Sequence, residues 1–207
     1  MAMKKLIFAL VALWTLLCSV DAGAQLVAEA GYLVNRDIEY RHNASTQRGI
    51  FLGAKYYYPL DDVLTNLSLV PGVNLAFSGG SHSSIYYGAH LSEVDLNIPV
   101  MAEYTYRLND MIKLFAQAGP TIQFGLSHKA VYKSDGYKTT LNCYEDNLNA
   151  DARKRLNFYL GLGVGVDVYD RYQLVIGYDH GLLQLSSNTD NMSITRAMYR
   201  FGLGYRF

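Results

Sequence analysis

The stretch LNFYLGLGVGVDV sets Leu156, Phe158, Leu160, Leu162, Val164, Val166 and Val168 on one side of an extended chain, with Asn157, Tyr159, Gly161, Gly163, Gly165 and Asp167 on the other. A period of two marks a β-strand with two unlike faces. No other feature limits the possible folds as tightly, because the pattern recurs in about eight runs: Leu26–Arg36, Arg48–Tyr58, Leu67–Ser78, Glu93–Arg107, Met111–His128, Lys154–Val168, Arg171–Leu183 and Thr195–Phe207. The last of them puts Tyr199, Phe201, Leu203, Tyr205 and Phe207 against Arg200, Gly202, Gly204 and Arg206. No helical face of useful length and no solenoid-type repeat interrupts the series.

The connections alternate in size. PLDDVLTN, LND and YD are short turns, while Asp37–Gln47, Gly79–Ser92, Lys129–Arg153 and Gln184–Ile194 are longer and more polar. Short turns at one end and long loops at the other describe an up-and-down meander. An even strand count in that arrangement is the layout of an outer-membrane barrel. The fold expected is therefore all-β, an eight-stranded antiparallel transmembrane β-barrel.

The two faces decide which way the barrel is lined. Turning eight rows of large aliphatics and tyrosines inward would overfill a narrow lumen, whereas facing lipid they cover the outside. A closed barrel also leaves no unpaired edge in hydrocarbon. The 18 tyrosines support this reading. Tyr56, Tyr58, Tyr104, Tyr106, Tyr172, Tyr205 and Phe207 fall at the short-turn ends of the apolar face, as an aromatic girdle. Tyr32, Phe124, Phe158, Tyr178 and Tyr199 lie nearer the long loops. Two such belts match the two membrane interfaces.

Eight strands enclose room only for side chains. The inward rows bring together Lys55, Arg107, Lys113, Arg196, Arg200 and Arg206 with Glu29, Asp95, Glu103, Asp167 and Asp179. Buried charges persist only when paired and hydrogen-bonded, so these residues are expected to form a salt-bridge network that plugs the lumen. A small pore is the alternative. Pro71, Pro99 and Pro120 fall inside strands, where a missing N–H weakens the ladder, and are expected to mark bulges or strands assigned in the wrong register.

Before the first strand, Lys4 and Lys5, an apolar run from Leu6 to Val20 and the small residues Ala22-Gly23-Ala24 read as a secretory signal peptide. That predicts a signal at residues 1–24 and a barrel domain at 25–207. An uncleaved anchor and, through Cys18, a lipoprotein signal are the alternatives. Only Cys143 then remains, in a polar stretch, where it reads as an incidental loop residue. The net charge of zero implies no broad basic surface for nucleic acid.

From LNIPVMAEYTYRLNDMIKLFAQAGPTIQFGL onward, through FYLGLGVGVDVYDRYQLVIGYDHGL to the terminal GLGYRF, the chain resembles the outer-membrane β-barrel domain family of Bacteroidota, PorT-like proteins included. The resemblance implies an integral outer-membrane barrel, and it transfers no catalytic residues. The terminal Phe207 on an alternating strand resembles the recognition signal of the barrel-assembly machinery, which would make that machinery a partner beside the outer-membrane lipid.

No catalytic, cofactor-binding or metal-binding residue is assigned from the sequence. The glycines of LGLGVGV alternate within a strand, unlike a phosphate-cradling loop, and fit tall neighbours across a narrow barrel. His82, His90 and His128 near Glu93 show no ligand spacing and read as solvated loop histidines. Ser81-His82-Ser83-Ser84 beside Glu93 is the least implausible enzyme site, for lipid A modification. The main expectation is a non-enzymatic barrel whose long loops serve adhesion, partner docking or envelope integrity. The loop 129–153 offers Lys129, Lys133, Lys138, Arg153, Tyr132, Tyr137 and Tyr144 to an envelope or extracellular protein. A pore, a lipid A-modifying enzyme and a secreted lipocalin-type carrier are the competing readings.

Overall fold

A computed structural model of the chain describes residues 25–39, 45–60, 64–83, 88–134, 137–144, 153–185 and 194–207. The expected signal peptide lies outside the described residues. Nine strands form among the described residues: β1 (Gln25–Glu39), β2 (Ser45–Pro59), β3 (Leu67–Ser83), β4 (Gly88–Arg107), β5 (Ile112–Ser134), β6 (Tyr137–Asn142), β7 (Leu156–Val168), β8 (Tyr172–Gly181) and β9 (Ile194–Arg206). Neighbours run β4-β3-β2-β1-β9-β8-β7-β5, and β4 pairs with β5 to close the ring. Every pairing is antiparallel, so eight strands make a closed up-and-down barrel. The extra strand, β6, pairs with the outer part of β5 from Lys129↔Asn142 to Ser134↔Tyr137.

The short turns are made by local chemistry. At β7–β8, Tyr169 and Asp170 both take φ of 55°, and the Arg171 N–H donates to the Val168 carbonyl at 3.2 Å. Two central residues of positive φ form the type I′ hairpin whose twist matches that of the strands. At β4–β5 the Asn109 side-chain oxygen accepts the backbone N–H groups of Met111 and Ile112 at 2.9 and 2.8 Å.

The register fixes the barrel's dimensions. A ring of paired residues that leaves β2 at Tyr58 passes Leu69, Ala102, Ala118, Leu162, Tyr178, Tyr199 and Val34. It returns to β2 at Arg48, ten residues from its start. That stagger tilts the strands by roughly 40° and leaves an interior that side chains can fill. At roughly 3.3 Å per residue along the strand, Arg48 then stands about 25 Å above Tyr58 along the barrel axis, the height of the apolar band of such barrels.

Outside this band the strands continue. β4 and β5 run for 20 and 23 residues, about twice what a tilted strand needs to cross a bilayer. Asp37, expected in a loop, is inside β1, and β5 extends past His128 into the segment expected as the loop 129–153. Among the described residues one register shift occurs, where Val94 pairs with Ser127 but Asp95 with Gly125. Leu126 is the extra residue, and past it the alternation of β5 changes phase.

The prolines do not mark register shifts. Pro71, Pro99 and Pro120 pair with Val100, Thr121 and Leu160 in unbroken register. The ladder skips two pairs at each proline, at Pro71 toward β2, at Pro99 toward β3 and at Pro120 toward β4, because each proline lacks the N–H on that side.

Candidate functional site

Inward-facing residues fill the lumen in layers. At the short-turn end, Arg206 donates to Asp167 at 3.0 Å, and its guanidinium lies 4.6 Å from the Tyr57 ring centroid. The Tyr57 hydroxyl donates to Glu103 at 3.1 Å, and Gln173 donates to Tyr57 at 2.9 Å. Lys55 pairs with Glu29 at 3.7 Å. Val27, Tyr57, Val70 and Met101 pack together beside these polar groups. Lys113 sits at the mouth, paired with the half-exposed Asp170 at 2.5 Å. Arg107 is exposed there and lines the open vestibule, so it is not part of the buried network.

Halfway up, Arg200 grips Asp179 with two hydrogen bonds of 2.7 and 3.1 Å. Tyr159, fully buried, donates to Gln123 at 2.7 Å. Leu33, Phe51 and Ala76 form a second apolar cluster. Glycines opposite make room for these rings. A Cβ at Gly165 would strike the Phe115 ring, and one at Gly31 would lie 2.6 Å from Phe51.

The long-loop end holds the densest cluster. Arg196, fully buried, donates to Asp37 at 2.6 and 3.2 Å and to Glu93 at 2.9 Å. Arg153 reaches Asp37 at 2.8 Å, and the His128 Nδ1 lies 3.5 Å from Glu93. Asp95 is buried beside them, with neither carboxylate oxygen hydrogen-bonded among the described residues. Tyr144 closes over this cluster. Its ring meets the His128 ring edge-on at 5.8 Å and the Arg155 guanidinium at 4.7 Å, in the space left by the missing side chain of Gly125. Burial, then the Glu93 and Asp95 carboxylates, push the Tyr144 phenol above its ordinary range.

Several sequence expectations are corrected here. His128 is buried and faces Glu93, because the Leu126 bulge turns it inward; it is not a solvated loop histidine. Arg153 and Tyr144 cap the lumen, so the docking loop does not offer them freely. Cys143 lies in the turn after β6 and is buried as well. Of the Ser81–Ser84 stretch, Ser84 and the side chains of His82 and Ser83 lie outside the described residues; Ser81 Oγ lies 2.9 Å from His90 Nδ1, both exposed. Glu93 points the other way, into the barrel. The side chains of Lys133, Tyr137 and Lys138 also lie outside the described residues.

The outer face is apolar. Leu162, Val164, Ile176 and Leu203 are each about 60% exposed. Tyr58, Tyr104, Tyr106, Tyr172, Tyr205 and Phe207 ring its short-turn end, with Tyr56 partly covered among them. Tyr32, Phe124, Phe158 and Tyr199 stand exposed further up, with Tyr178 partly covered. A soluble carrier needs the opposite arrangement, with apolar residues inside.

The chain matches the family described as outer membrane protein beta-barrel domain over residues 10–207. It belongs to that family. The apolar band is accordingly its lipid face in the outer membrane. Neisserial surface protein A, NspA, is 12% identical with a TM-score of 0.50, covering 89% of this chain and 99% of its own. Ail, the attachment invasion locus protein of Yersinia pestis, is 18% identical with a TM-score of 0.47 over the same shares. The outer membrane enzyme PagL is 13% identical with a TM-score of 0.44, covering 84% of this chain and 98% of its own. At these identities the likeness is one of fold alone. A comparison with curated proteins finds no match.

Proposed function

We propose that this outer-membrane barrel is non-enzymatic and serves as a docking or adhesion element, its lumen shut and its long-loop end presented to an envelope or extracellular protein. The observation that carries the reading is the sheet that β4, β5 and β6 raise beyond the membrane. Its last strand, β6, has no further strand on its outer side among the described residues, and Thr139 and Thr140 are exposed along it. An open edge is a template for an extended segment of another protein, held by main-chain hydrogen bonds. The filled interior argues against a pore. We place the chain with PorT-like barrels of Bacteroidota, inserted by the barrel-assembly machinery through the strand ending at Phe207.

Trypsin applied to intact cells should cut at Lys138, and replacing residues 137–142 by a Gly-Ser turn should abolish attachment of expressing cells to their partner surface while the barrel stays folded. Attachment that survives this replacement would overturn the reading. The Ser81–His90 contact favours a second reading, a lipid-modifying hydrolase. In it no described carboxylate orients His90, since Glu93 is held by Arg196. Ser81→Ala would then abolish a change in lipid A acyl number that the wild type produces.

A further inference from the structure

The carboxylates in this barrel are distributed unevenly. Glu29, Asp37, Glu93, Asp95, Glu103, Asp167 and Asp179 all point into the lumen, and five of them meet a lysine or arginine there. The exposed carboxylates among the described residues, Asp110 and Asp170, both sit in short turns. At the long-loop end the exposed charged side chains among the described residues are all cationic: Arg36, Arg48, Lys129 and Lys154. Among the described residues, the interior keeps the negative charge and the outer rim carries the positive.

Arg36 and Arg48 form a pair within this rim. Val34 pairs with Arg48 and Arg36 with Thr46, so the two arginines are diagonal neighbours on adjoining strands, both on the outward face. Below them on the same face lie Tyr32, Ile50 and Tyr199, each exposed. Arg48 ends the ring that begins at Tyr58, about 25 Å lower. The pair therefore stands where the apolar band gives way to lipid headgroups, with no carboxylate among the described residues to neutralise it.

We infer that Arg36 and Arg48 hold the phosphate of an outer-leaflet lipid headgroup. Guanidinium groups bind phosphate through paired, charge-assisted hydrogen bonds. At the edge of a low-dielectric band such contacts are screened less than in open water. The aromatic and aliphatic residues beneath would take the first part of the acyl chains, and Lys129 and Lys154 would extend the attraction around the barrel.

The test uses the folded full-length protein in zwitterionic nanodiscs, titrated with diphosphorylated lipid A and followed by native mass spectrometry. Arg36→Gln/Arg48→Gln should weaken binding roughly tenfold to thirtyfold, while Arg171→Gln at the opposite end changes nothing. Dephosphorylated lipid A should bind the wild type no better than it binds the double variant. Heat-dependent gel mobility confirms that each variant is folded; if the double variant fails to fold, the single Arg48→Lys variant, expected to lose part of the affinity, takes its place. Equal binding by wild type and variant would overturn the inference. Displacement of the lipid by millimolar inorganic phosphate would overturn it too, by showing a site for free anions instead of a lipid headgroup.

Discussion

Replacing Arg196 by alanine should destabilise the barrel more than removing any other charge. The guanidinium is fully buried and makes three hydrogen bonds, to both oxygens of Asp37 and to Glu93. Its loss leaves two carboxylates in the lumen, one facing Arg153 at 2.8 Å and the other facing His128 at 3.5 Å. Breaking a buried pair from one side costs about 3–5 kcal/mol, because the remaining charge stays desolvated. The contact to Arg153 moderates the Asp37 share, so about 3 kcal/mol is the expected loss. At roughly 2–4 °C per kcal/mol for a chain of this size, the melting midpoint should fall by about 6–12 °C. The assay is heat-dependent gel mobility together with urea unfolding in lipid bilayers. Lys113→Ala is the comparison, since its partner Asp170 is half exposed and such pairs contribute only about 0–1 kcal/mol. If Arg196→Ala unfolds within about 1 kcal/mol of the wild type, the cluster is not a structural ion pair and the packing account is wrong.

Four further outcomes follow from the same geometry. Gly165→Leu would drive a side chain into Phe115 and the Leu174 carbonyl, and should cost about 1–3 kcal/mol or more in urea unfolding, as overpacking does. Leu162→Lys lies halfway along the ring from Tyr58 to Arg48, at the bilayer midplane. It should cost about 2–4 kcal/mol, against about 0–1 for Tyr172→Lys at the interface. Arg200→Ala should leave planar-bilayer conductance at the wild-type level, because Tyr159, Phe51 and Met101 still fill the lumen; a tenfold rise would make the charges a gate. Cys143, buried, should resist maleimide in the folded barrel and react once urea unfolds it.

The lipid face was the legible part of the chain. Alternation survives wherever one face meets hydrocarbon and the other a packed interior, so Leu156–Val168 shows its two sides without any help from contacts. The same parity carries the interior aromatics: Tyr57 stands two residues from Lys55, and Phe115 two from Lys113. They escape notice because a tyrosine beside a girdle tyrosine looks like more girdle. What alternation does not reveal is where a strand stops, since above the membrane both faces become polar. Asp37 and Arg153 therefore look like loop charges, although they meet over the lumen.

The bulge at Leu126 shows the limit most clearly. GLSH contains no proline, and its Gly125 is one of many glycines within the strands, so nothing singles out the step where the phase changes; one inserted residue then reverses every side chain beyond it. Read without the bulge, His128 faces away from Glu93 and the Arg196 cluster loses a member. Only closure of the ring fixes the insertion. Below the bulge β5 is held on both edges, to β4 by Asp95↔Gly125 and to β7 by Phe124↔Leu156. Above it the strand follows β4 in a register shifted by one, with Lys129 and later residues taking up β6 on the other edge. A strand held by two neighbours keeps its phase, and one freed from β7 can absorb an extra residue. The polar cluster accordingly forms where the barrel wall passes into the raised sheet, and that junction is set by pairing between distant segments.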